Sequence, residues 1–211
     1  MSLYPQLGLI DIGANIGTYT MFIAAMNRLV IAIECFPPNY MRIAKAIQME
    51  NLKNKVILIG NAVYSSTGQY IKLSQDSGNI GGQSISGTTF NLTKSADNIY
   101  MVRTIRLDDI LPKIQQTKLS SFVMKIDIEG AEYYVFESGT ELFDSLDIPL
   151  IMMEWDKMHY NIERGNFVLR FLKTRKYIPI TDTCQELNET DVFSKWPANV
   201  FWTKMNRTSI C

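Results

Sequence analysis

The residues able to do chemistry stand where apolar runs end. "LGLIDIGANIGTYT", residues 7–20, places Asp11 at the close of a strand-like run, then Gly13, Ala14, Asn15 and Gly17 ahead of a helix opening at Thr18. A turn needs one glycine. Two, with an acid and an amide between strand and helix, ask for a ligand, because glycine lets backbone N–H groups come close and a helix N-terminus leaves them free. The spacing G-x-N-x-G is not the G-x-G-x-x-G of dinucleotide sites. An acid before the first glycine would repel a pyrophosphate and suits a ligand that carries an ammonium group.

Three further strand ends carry polar residues. Glu34 closes "LVIAIE" and is placed to accept both hydroxyls of a ribose, with Cys35 beside it as a packing thiol. Asn61 follows "VILIG", where its amide can bond a base edge or cap a turn, and Ala62 comes next. "FVMKIDI" brings Lys125 and Asp127 onto one face of a buried run, with Glu129 just beyond. A lysine inside such a run must be paired, and Asp127 or Glu154 is the expected partner. The cluster reads either as a structural ion pair or as a site that positions a substrate. His159 is the only histidine and follows the run 150–155 on the same edge, so it is a candidate base, with Asp127 and Glu129 as competitors. Glu132 is expected only to favour a helix dipole. Trp155, Tyr160 and Trp196 could stack on an acceptor, though packing explains them as well. Oxygen ligands from Asp127, Glu154 and Asp156 would suit magnesium, but nothing fixes their geometry, so no metal is assigned.

The elements that must position these residues alternate. Strands are expected over 7–12, 29–34, 56–60, 101–107, 122–128, 150–155, 177–181 and 199–204, with helices over 18–27, 38–51, 131–138 and 161–175. Pro37 and Pro38 start the second helix. Short apolar runs separated by helices indicate parallel strands covered on both faces. "AVYSS" and "QYIKLS" around Thr67 and Gly68 read as a β-hairpin. Residues 74–99 are polar and rich in Gly, Ser and Asn, the composition of a flexible lid or binding loop. Sheets of this type bind ligands outside the carboxyl ends of their strands, where the residues above gather.

Composition narrows the classes. The 211 residues form one domain over 1–211, long enough for a full core. Lys+Arg and Asp+Glu both number 21, which argues against a bulk electrostatic grip on nucleic acid. No run is long enough for a membrane span, and no signal pattern opens the chain. Cys35, Cys184 and Cys211 are too scattered for a disulfide framework, so a reducing, cytoplasmic compartment is the default. The triplets at Asn91, Asn188 and Asn206 fit the glycosylation pattern and keep a secretory lumen open.

A nucleoside with an amino-acid tail and no phosphate is S-adenosylmethionine (SAM). "DIGANIG", "IECFPPN", "GNAVYS", "IRLDDIL" and "MKIDIEGAEYYVFESG", in this order, resemble the successive motifs of the FkbM-type methyltransferases, and "NVFWTK" resembles that family's last strand. The resemblance implies an α/β fold: a Rossmann-like class I methyltransferase three-layer sandwich, with a mostly parallel seven-stranded sheet, one antiparallel strand near the edge, and here a hairpin and loop inserted after strand three. It implies SAM as cofactor, S-adenosylhomocysteine (SAH) as product, and methylation of a hydroxyl on a small molecule or carbohydrate. Asp11, Gly13, Ala14, Asn15 and Gly17 would hold the methionine part, Glu34 with Cys35 the ribose side, Asn61 and Ala62 the adenine, and Asp127 the methyl donor's flank. Lys125, Asp127, Glu129 and His159 would serve catalysis. Two departures stand out. Only residues 1–6 lead into the first strand, which implies an open pocket or a helix outside this sequence, and "ECFPP" replaces the commoner acid-then-Pro pattern. The rival readings are a nicotinamide-dependent oxidoreductase and a degenerate methyltransferase fold that only binds.

Overall fold

The computed structural model describes residues 4, 6–75, 82–85 and 98–205. Its centre is a seven-stranded sheet built from β1 (Gly8–Ile12), β2 (Val30–Ile33), β3 (Val56–Ile59), β7 (Ser121–Ile126), β8 (Asp147–Glu154), β9 (Tyr177–Ile180) and β10 (Asn199–Lys204). The order is β3-β2-β1-β7-β8-β10-β9. Strands β3, β2, β1, β7 and β8 run parallel, and β10 lies antiparallel between β8 and β9. Every residue of β1 and β2 is buried, as parallel strands covered on both faces require.

The covering helices are α1 (Thr18–Ala25), α2 (Pro37–Met49), α3 (Leu111–Gln115), α4 (Tyr133–Glu137), α5 (Thr140–Ser145) and α6 (Ile162–Thr174). Two prolines open α2, where missing N–H groups cost nothing. The main core runs from Phe122 and Phe136 to Trp155, Trp196 and Trp202. Trp155 and Trp196 are buried with ring centroids 5.1 Å apart, and their indole N–H groups go to the carbonyls of Val192 and Asn188. These tryptophans are packing residues, and Tyr160 is exposed.

The insertion after β3 differs from the hairpin expected. Its strands β4 (Ala62–Val63) and β5 (Tyr70–Lys72) do not pair; β6 (Met101–Ile105) lies between them, parallel to β4 and antiparallel to β5. Thr104 accounts for the insertion. Its N–H bonds the carbonyl of Gln69, its carbonyl accepts from Gly68, and its buried hydroxyl donates to Ser66. Phe36, Ala62, Ile71, Leu73 and Val102 form a small core under this sheet. Residues 76–81 and 86–97 of the expected 74–99 loop lie outside the described residues, as do Asn91 and Asn206. Cys184 is disulfide-bonded and Cys35 is a free thiol. Among the described residues no helix is long and apolar enough to cross a membrane, and no group of three His, Cys, Asp or Glu is arranged to hold a metal ion.

Candidate functional site

The carboxyl ends of β1, β2 and β7 converge on one cavity. Gly13, at φ +81°, turns the chain out of β1 so tightly that a Cβ there would lie 1.8 Å from the carbonyl oxygen of Asp127. Only glycine fits this approach. The Gly13 and Ala14 N–H groups bond the carbonyl of Ile33, and the Asp127 N–H bonds that of Ile12, so the three strand ends are stitched together.

Lys125 completes the stitching. Its Nζ donates to the Gly13 carbonyl at 2.8 Å and lies 3.4 Å from an Asp127 carboxylate oxygen and 3.7 Å from one of Asp11. Asp11 is wholly buried and takes the Thr20 hydroxyl at 2.7 Å. Burial pushes its carboxyl up, opposed first by Lys125 and then by Thr20. Asp11 does not line the cavity: the side chains at 11 and 125 are neighbours in register, and the acid faces Lys125 and Thr20 inside the sheet. Asp127, with its side chain 41% exposed, is the carboxylate of this group that faces the cavity. Glu154 does not pair with Lys125.

Glu34 organises the second wall. One carboxylate oxygen accepts the Phe36 N–H at 2.8 Å and the other the Asn15 N–H at 2.7 Å. Asn15 sits at φ 52°, and its side-chain oxygen accepts from Asn39. Burial raises the Glu34 carboxyl to about 7, against the pull of both backbone bonds. Each oxygen keeps a lone pair for a ligand hydroxyl.

The cavity's polar lining is Asn15, Glu34, Asn61, Gln83, Asp127 and Glu129, and its apolar slot includes Phe36, Ala62, Leu73 and Ile85 with Cys35. Asn61 gives its amide to the Arg103 carbonyl and still lines the wall. Burial, then the Glu34 charge, raises the Cys35 thiol, so it packs rather than reacts. Ala14 and Gly17 do not line the cavity. Ala14 is core under α2, and Gly17, at φ +90°, turns the chain into α1. Phe36, Leu73 and Ile85 were not predicted. Phe36 follows Cys35 directly and could have been found from its place after Glu34, whereas Leu73 and Ile85 arrive only through the insertion.

The turn after β7 is strained, with Glu129 at φ 55° and Gly130 at φ 94°. Glu132 holds it: one carboxylate oxygen accepts the N–H groups of Ile128 and Gly130 at 3.0 and 3.2 Å. Glu132 is wholly buried, and burial raises its carboxyl to about 7. It is thus a clamp rather than a dipole partner. His159 lies half-buried in the 3₁₀ turn Asp156–Tyr160, with its Nε2 buried and unpartnered, and it does not line the cavity. The structure gives it no place in the candidate site. A second, strongly polar cavity adjoins the first, sharing Ile85, Glu129 and Ala131 and adding Gly130, Tyr134 and Arg164.

Comparison with known proteins supplies an independent reading. The methyltransferase FkbM domain family matches residues 11–179. A crystal structure of methyltransferase FkbM from Methylobacillus flagellatus superposes with a TM-score of 0.58 at 13% identity, over 94% of this chain and 44% of that one. An rRNA methylase from Streptococcus thermophilus gives 0.45 at 11% identity, over 94% and 87%. A Streptococcus mutans protein in complex with SAH gives 0.47 at 11%, over 97% and 94%. This chain therefore spans less than half the length of the M. flagellatus protein, and at 13% identity that likeness is one of fold. No curated protein sequence matches.

Proposed function

The chain belongs to the FkbM methyltransferase family, and on that premise we propose that it binds SAM in the cavity at the ends of β1, β2 and β7 and methylates a hydroxyl oxygen of a small molecule or glycan. The observation that carries the reading is Glu34: a buried carboxylate at the end of β2, fixed by two backbone N–H groups, opening onto an apolar slot with no phosphate-binding glycine pattern. This set of residues fits the cofactor. Gly13 lines the cavity, Glu34 keeps lone pairs for the ribose hydroxyls, and Phe36, Ala62, Leu73 and Ile85 make a slot of adenine character beside Asn61. When bound, SAM supplies an electrophilic methyl group with a good leaving group.

The chain's own residues then have divided work. Lys125 holds the Gly13 and Asp127 loops in register. Asp11, Lys125 and Asp127 set two carboxylates against one ammonium, an acidic balance that suits a cofactor bringing positive charge. Asp127 would take the ammonium of the methionine part, the role first expected of Asp11. Glu129, on the wall shared by both cavities, is placed to accept the proton of an acceptor hydroxyl. Orientation of that hydroxyl would supply much of the rate.

A thermal-shift and calorimetry panel of SAM, SAH, NAD and NADP tests the assignment. A ligand at 100 times its dissociation constant stabilises by about 2.7 kcal/mol. SAM and SAH are expected to raise the melting temperature, and stabilisation by NAD alone would overturn the reading.

A further inference from the structure

Among the described residues that line the second cavity there is one cation, Arg164. It is the third residue of α6, where a positive side chain works against the helix dipole. Its backbone N–H is already held by the Asn161 side chain. Its guanidinium lies 5.2 and 5.0 Å from the ring centroids of Tyr133 and Tyr134, and one nitrogen donates to the Tyr134 hydroxyl at 3.0 Å. Among the described residues no carboxylate stands within ion-pair distance of it. The nearby Glu137 takes the Tyr133 hydroxyl instead.

The tyrosines keep this guanidinium in place. Tyr64 packs on Tyr134 at 4.3 Å, and Tyr134 packs on Tyr133 at 5.4 Å. A guanidinium backed by aromatic faces loses little freedom when it binds, and its planar donors match a carboxylate in two parallel hydrogen bonds. Glu129 lines the same cavity and carries the opposite sign. A ligand here should therefore present an acid to Arg164 and a hydroxyl to Glu129.

We infer that the second cavity is the acceptor subsite and that it takes a hydroxy acid of sugar-acid type, with its carboxylate on Arg164 and Tyr134 and its hydroxyl turned toward the wall shared with the cofactor cavity. Arg164 and Tyr134 act here as specificity residues. The inference rests on the cofactor reading above for what the hydroxyl meets, but not for the anion site itself.

Calorimetry with D-glucuronate and with D-glucose as its uncharged counterpart tests it, on the chain with and without SAH. Glucuronate is expected to bind more tightly than glucose. Arg164→Gln should weaken glucuronate roughly tenfold or more while leaving glucose unchanged, and Arg164→Lys should recover part of the loss. Melting temperatures check that the variants fold, and Tyr134→Phe, which keeps the ring, should weaken glucuronate if Arg164→Gln does not fold. Glucuronate binding no better than glucose, or indifferent to these substitutions, overturns the inference even if SAH binds. Glucuronate binding through Arg164 in a chain that does not bind SAH would overturn the cofactor reading and leave the anion subsite standing.

Discussion

The Nζ of Lys125 donates to the carbonyl oxygen of Gly13 across 2.8 Å, joining residues 112 positions apart. One side chain thereby locks β7 to the turn after β1, and its charge stands between the carboxylates of Asp11 and Asp127. The consequence is a division of labour: Asp11 faces Lys125 within the sheet, and Asp127 is left open to the cavity.

Lys125→Met should lower the melting temperature sharply. It leaves Asp11 buried without its cation, and removing one partner of a buried pair costs about 3–5 kcal/mol. Thermal unfolding by circular dichroism measures this. Melting at the wild-type temperature would mean that Asp11 does not depend on Lys125.

Gly13→Ala should abolish SAH binding and reduce the yield of folded protein. The added Cβ meets backbone rather than a side chain that could swing away, and the residue sits at φ +81°. SAH calorimetry and a melting curve read both effects, and wild-type values in both would show that the β1 and β7 loops are not in contact.

Glu34→Gln should weaken SAH roughly ten- to hundredfold. Hydrogen bonds to a charged group contribute about 1.5–3 kcal/mol, and 1.4 kcal/mol is a factor of ten. The Glu34 carboxyl is raised to about 7, so its ionised form, the better acceptor for ribose hydroxyls, grows as pH rises through that value. Wild-type affinity for SAH should strengthen across this range, and the variant's should not. Equal pH dependence in the two proteins would remove Glu34 from the ribose site.

Asp127→Asn should leave the melting temperature nearly unchanged, because its side chain is 41% exposed. Its effect should fall on the cofactor, weakening SAH roughly ten- to hundredfold, because a hydrogen bond to a charged group contributes about 1.5–3 kcal/mol. Calorimetry with SAH measures it. Unchanged affinity would show that Asp127 does not hold the methionine ammonium.

Glu132→Gln should gain stability relative to wild type as pH rises. The folded chain holds the Glu132 proton up to about 7, against 4.5 for an unperturbed glutamate. A raised carboxyl favours the folded state below about 4.5, and that advantage is lost as pH climbs to about 7. Glutamine has no proton to lose, so the difference should move in its favour by up to roughly 3 kcal/mol, at about 1.4 kcal/mol per pKa unit. Paired urea denaturations at the two ends of the window test it; a difference that does not vary with pH would place Glu132 in water.

The local signals in the sequence determined the elements and the edge at which the site lies. Apolar runs of four to six residues with Asp11, Glu34, Asn61 and Asp127 at or next to their ends specify parallel strands and put those residues toward the carboxyl edge, because strands covered on both faces are apolar along most of their length. The Gly13 turn and the proline start of α2 were legible for the same local reasons, whereas the antiparallel strand came from the family resemblance. The roles within the site were not. Periodicity tells that positions 11 and 125 are buried, but not that they are register neighbours; that pairing, set by the sheet order, places Asp11 against Lys125. Burial of Glu132 depends on how the turn after β7 folds back, and the entry of Leu73, Ile85 and Arg164 depends on an insertion and a helix that meet the strand ends only in three dimensions. The hairpin expected around Gly68 failed for the same reason: turn chemistry brings β4 and β5 close, while the hydrogen bonds of Thr104, over thirty residues away, decide which strand lies between them.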